Sequence, residues 1–99
     1  MRVIYHPEVE KIIRFLQKQD ESRVLKVVDL FLEYKFNLTQ LYLKKIVKKI
    51  WELRAGRYRL LFGIVEKDVV IVDIFIKKSQ KTPKQSIKVA MRRLKEYEQ

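Results

Sequence analysis

The chain has 99 residues, 47% of them hydrophobic, and a formal net charge of +11 at pH 7. That length suits one hydrophobic core and is too short for two, and the apolar content sets it apart from disordered polycations. It contains no cysteine, which excludes disulfides, thiolate metal ligands and a cysteine nucleophile. No apolar run approaches the roughly 18–20 residues of a membrane span.

The opening "MRVIYHPEVEKII" lacks a signal-peptide apolar region and cleavage site. Residues 1–99 are therefore expected to form a single cytoplasmic domain without membrane association. Only 2 Gly and 2 Pro argue for dense regular structure with short connections.

In chain order, "RVIY" is a short β-prone start. His6 and Pro7 open a helix, with proline at a favourable first-turn position and His6 in the cap region. Val9, Ile12, Ile13 and Leu16 form one apolar stripe at helical spacing. "QDES" is expected to break this helix. A second runs from about Glu21 to Lys35, with Val24, Val28 and Phe31 inward, and ends at "FNLTQ". So short a connection predicts an antiparallel helical hairpin. Residues 40–50, "QLYLKKIVKKI", have helical spacing but little length, and read as a loop with a helical turn.

From Trp51 the period becomes two. Trp51 and Leu53 share one side, Glu52 and Arg54 the other. "AGR" is a tight connection. "YRLLFGIV" puts Tyr58, Leu60, Phe62 and Ile64 on one face and Arg59, Leu61, Gly63 and Val65 on the opposite face. After the turn "EKD", "VVIVDIFIKK" is a nearly continuous apolar strand, as in the middle of a sheet. Thr82, Pro83 and Gln85 read as N-cap, N1 and N3 of a last helix, with Ile87, Ala90, Met91 and Leu94 as its apolar stripe. The expected fold is α+β, ordered β-α-α-β-β-β-α. Its small antiparallel sheet carries the N-terminal helical hairpin and the C-terminal helix on one face.

Such a sheet leaves its other face open, and alternation directs Arg54 and Arg59 there. Each is either a solvated surface residue or an anion ligand. A second group comprises Lys77, Lys78, Lys81 and Lys84, and no acidic residue occurs from Lys77 through Lys95. Lysines at a helix start oppose the macrodipole, so a bound phosphate there would relieve a local conflict. Lys45 and Lys49 extend the cationic surface around the first strand of the meander. Asp73 is a lone carboxylate in an apolar strand, either a structural partner of Arg59 or Arg54 or an acid–base group. An excess of 23 basic over 12 acidic residues points to a polyanionic partner. No Ser-His-Asp set, metal-ligand motif, P-loop or dinucleotide fingerprint occurs, so neither metal nor cofactor is expected.

Three motifs in order, Glu52-Leu53-Arg54, Tyr58-Arg59 and "FIKKSQKTP" from Phe75 to Pro83, resemble the RelE/ParE toxin superfamily. The nearest resemblance is to its phage-derived HigB-like branch, over roughly residues 44–97. The resemblance implies a toxin of a type II toxin–antitoxin pair, a metal-independent endonuclease of ribosome-bound mRNA. It further implies attack of a ribose 2′-OH on the adjacent phosphate and a cognate antitoxin, a small helix-turn-helix protein. By position it makes Arg59 the transition-state clamp, with Arg54 on the adjacent strand and Lys77 or Lys78 as proton-transfer partner. Lys81, Lys84, Lys45 and Lys49 would contact RNA. The histidine that many HigB-like relatives carry near Asp73 is missing, and the C-terminal aromatic is Tyr97, which leaves the general base to a lysine, Asp73 or ribosomal groups. Inhibition of DNA gyrase, as in the ParE branch, and a non-toxic basic RNA-binding module are the alternatives.

Overall fold

The computed structural model describes residues 1–99. It runs β1 (Val3–Tyr5), α1 (Pro7–Arg14), α2 (Lys18–Tyr34), β2 (Leu43–Val47), β3 (Ile50–Ala55), β4 (Tyr58–Val65), β5 (Asp68–Ile76) and α3 (Lys84–Lys95), with a 3-10 turn at Lys35–Asn37. The five strands form one sheet in the order β1-β5-β4-β3-β2. Strands β2 to β5 are an antiparallel meander, and β1 pairs in parallel with β5. The class is α+β, as expected, but the sheet is mixed.

His6 caps α1 by accepting a hydrogen bond from the Glu8 amide at Nδ1, 3.1 Å away, and Pro7 follows as the first helical residue. "QDES" does not break a helix: it lies in the first turns of α2, and the chain turns at Phe15–Gln17 instead. Asp20 and Glu21 there complement the helix dipole. Residues 43–47, read as a loop, are the edge strand β2. Its pairing with β3 overrides the helical spacing, because a five-residue segment gains more from a ready-made strand edge than from an isolated helical turn.

The expectation of all helices on one face is corrected by the two sides of the core. Val9 and Ile13 of α1 and Val24, Val27, Val28 and Phe31 of α2 pack on Leu53, Leu60, Phe62, Val69 and Ile71. Ala90 and Leu94 of α3 pack on Ile50, Leu61, Val70 and Val72, the alternate residues of the same strands. A strand apolar on both faces needs cover on both, and α3 supplies the second layer. The approach is close at Gly63, where a β-carbon would lie 2.6 Å from Leu94 Cδ2.

Register shifts between β4 and β5 at Leu61 and Phe62, which face Asp73 and Ile71. Val72 is thus the extra residue of a bulge. Val72 faces the α3 layer, and so does Asp73 next to it, opposite Leu61. Strict alternation would group Asp73 with Val69 and Ile71, and the bulge breaks it there.

Candidate functional site

Strands β3 and β4 place Arg54 and Arg59 as direct cross-strand partners, with Glu52 two pairs further along, facing Leu61. All three project to the α3 side, at the end of the sheet that α3 leaves uncovered. The two arginines would repel, and Glu52 sits between them. Its Oε1 accepts from Arg54 Nε at 3.4 Å and lies 4.0 Å from Arg59 Nε. Its Oε2 accepts from the Thr82 hydroxyl at 2.9 Å.

Glu52 and Arg59, 3% and 8% exposed, are the buried charged residues of the protein. The face holding Arg59 is therefore not the open one expected. Burial pushes the Arg59 guanidinium below its ordinary value, opposed by Glu52 and reinforced by Arg54. Its Nη1 donates to the Gly56 and Tyr58 carbonyls at 2.8 and 2.9 Å. Those bonds hold the guanidinium against the β3–β4 turn, where Gly56 adopts φ +61°. Nη2 has no partner within the protein and remains available to an oxyanion. Arg54, with a side chain 31% exposed, is the more accessible of the pair.

Thr82 was expected to cap α3. The helix begins at Lys84 with Pro83 in the cap position and no side-chain cap, because the Thr82 hydroxyl satisfies Glu52 instead. This bond anchors the 77–83 connection to the sheet beside the arginines and sets the exposed Lys81 and Lys84 on either side of that anchor. Lys77 and Lys78 are exposed just past β5. The Lys77 amide still pairs with the Arg57 carbonyl at 2.7 Å, and Phe75, two residues earlier, lies opposite Arg59.

Other predicted residues do not join the Glu52 cluster. Lys45 sits over the Trp51 ring, its Nζ 4.6 Å from the centroid, and Lys49 pairs with Glu98 at 3.2 Å. Asp73 pairs with neither Arg59 nor Arg54. Its partner is Arg93 of α3 at 3.6 Å, whose Nη1 also donates to the bulge carbonyl of Val72 at 2.9 Å. The shifted register turns Asp73 toward α3. Arg57 pairs with Asp20 at 3.3 Å and ties the turn to α2. Sequence reasoning passed over Glu52 and Thr82 as site residues, although alternation had put Glu52 beside Arg54.

No three His, Cys, Asp or Glu side chains converge to hold a metal ion. Two arginines held on a buried carboxylate gather guanidinium donors at this end of the sheet, an arrangement that can pair with an oxyanion.

The fold is similar to solved toxin–antitoxin structures. A chain of the crystal structure of the archaeal RelE–RelB complex from Pyrococcus horikoshii OT3 aligns with a TM-score of 0.60 at 23% identity, covering 76% of this chain and 92% of that one. A chain of the RelB–RelE antitoxin–toxin complex from Methanococcus jannaschii aligns with a TM-score of 0.56 at 14% identity, covering 74% and 88%. Among curated proteins no relative matches. The model of the family described as "Phage derived protein Gp49-like (DUF891)" matches residues 11–95, and the chain belongs to that family.

Proposed function

We propose that this protein is the toxin of a toxin–antitoxin pair and cleaves mRNA on the ribosome without a metal. The observation that carries this reading is the Arg54–Arg59 pair organised on buried Glu52 within a chain of net charge +11. The RelE-like fold, seen in complexes of RelE with RelB, supports it.

In the reaction the 2′-oxygen forms a bond to the adjacent phosphorus and loses its proton. The phosphorane gains negative charge, then the bond from phosphorus to the 5′-oxygen breaks and that oxygen takes up a proton. The products are a 2′,3′-cyclic phosphate and a 5′-OH end. Arg59, through Nη2, and Arg54 clamp the phosphorane oxygens. Lys77 or Lys78, exposed at the end of β5, moves the proton. Lys81 and Lys84 hold flanking phosphates. A small helix-turn-helix antitoxin neutralises the protein in the cytoplasm.

Primer extension on a defined mRNA paused on ribosomes tests the reading, with chelator present and a ribosome-free lane alongside. Wild-type protein produces new stops at the A site, and Arg59→Ala removes them. Intact mRNA in every wild-type lane would overturn the endonuclease and leave a toxin that acts by binding.

A further inference from the structure

A second feature shares Arg54 with the arginine site, its aromatic wall lying on the α2 face of the sheet. A cleft of about 540 Å³ lies at the β2 edge of the sheet, lined by Phe36, Gln40, Lys44, Lys45, Trp51 and Arg54 together with two leucines. That size lies within the roughly 300–1,000 Å³ of ligand sites. Its lining holds three cations and no carboxylate. Phe36 is 46% exposed, although its ring is held 4.7 Å from Trp51 at 55° and edge-on to Phe31. Two rigid rings meet at an angle on the cleft wall, and the Lys45 ammonium covers the Trp51 ring. Arg54 belongs both to this cleft and to the bond with Glu52.

We propose that this cleft binds a nucleobase of single-stranded RNA next to the phosphate held by Arg54 and Arg59. The inference rests on the RNA reading above and adds a base subsite to it. Every base presents a π-face, and aromatic walls beside cations are how single strands are held without regard to sequence. The Gln40 amide carries both a donor and an acceptor, so it can read a base edge. Lys45 is exposed, and its cation–π contact is weaker than base stacking. An entering base displaces the ammonium, which then meets a backbone phosphate beside Lys44. An apolar protein side chain alone would fill the aromatic wedge but would leave these cations without counter-charges.

The protein has a single tryptophan, so Trp51 itself reports occupancy. The probe is a short 2′-O-methyl RNA, which lacks the attacking hydroxyl and stays intact, labelled for anisotropy. A matched oligomer with abasic positions carries the same phosphates. The expected result is binding of the base-bearing strand with quenching of Trp51 fluorescence, and weaker binding of the abasic strand with none. Phe36→Ala should weaken the base-bearing strand roughly 5- to 150-fold, the range that base–aromatic stacking provides, and leave the abasic strand unchanged. Binding without quenching, or equal affinity for both strands, overturns the base subsite and leaves the RNA reading standing. Absence of any rise in anisotropy overturns the base subsite, and primer extension on ribosome-bound mRNA decides the RNA reading separately.

Discussion

Glu52 is a carboxylate 3% exposed that keeps two arginines on facing strands from repelling one another. Removing it strands Arg59, itself 8% exposed, without its counter-charge. Breaking a buried pair from one side costs about 3–5 kcal/mol. Because the Arg54 side chain is 31% exposed, the low end is expected, so Glu52→Ala should lower stability by about 3 kcal/mol in urea unfolding. Glu52→Gln, which can still accept from Thr82, should lose less, and equal losses would show that the charge alone carries the effect. Asp73 makes the opposite prediction. Burial is the main cause that pushes its carboxyl above the ordinary value, against the pull of Arg93. A carboxyl that holds its proton more tightly when folded adds stability at low pH and loses it as pH rises through the folded value. Asp73→Asn should therefore be more stable than wild type at neutral pH, with the gain vanishing in acid. Urea midpoints at the two pH values check this, and a gain unchanged by pH would reject burial as its origin. Alternation showed that Glu52 and Arg54 share a side. The depth of Glu52 was not legible, because burial depends on Thr82, thirty positions away in sequence.

At the scale of elements, the contact of β4 with α3 is set by one small residue. A β-carbon on Gly63 would meet two Leu94 methyls at 2.6 and 2.9 Å and the Lys49 carbonyl at 2.9 Å. Gly63→Ala should cost about 1–3 kcal/mol from overpacking, read as a lower melting temperature, and an unchanged value would mean that α3 shifts freely. The bulge at Val72 is clamped from the same helix. Arg93→Met removes the donor to the Val72 carbonyl and the partner of Asp73. The expected loss is about 1–3 kcal/mol, that of leaving a buried acceptor unpaired, with faster amide exchange at Val72 to Ile74 as its local signature. Helices α1 and α2 were readable because their apolar stripes recur at helical spacing. Strand β2 was not, since "LKKIV" contains too few residues to choose its own period, and pairing with β3 made the choice.

For the molecule as a whole, an excess of 23 basic over 12 acidic residues predicts that binding to single-stranded RNA weakens steeply with salt. Each phosphate contact contributes about 0.7 to the slope of log affinity against log salt. Arg54→Ala should therefore reduce the slope by about 0.7, measured by anisotropy across a salt series, and a slope identical to wild type would remove Arg54 from the phosphate contacts. The sequence alone determined the α+β class, the existence and order of α1, α2 and α3, the chain from β3 to β5 and the placement of Arg54 and Arg59 on one side. These follow from local periodicity, which each segment carries in itself. Only the tertiary structure decided that α3 covers the opposite face from α1 and α2, that Glu52 joins the arginines to Thr82, and that Asp73 turns to Arg93. Each of those depends on residues distant in the chain satisfying one another's buried charge or apolar surface, and no local pattern encodes which partner will arrive.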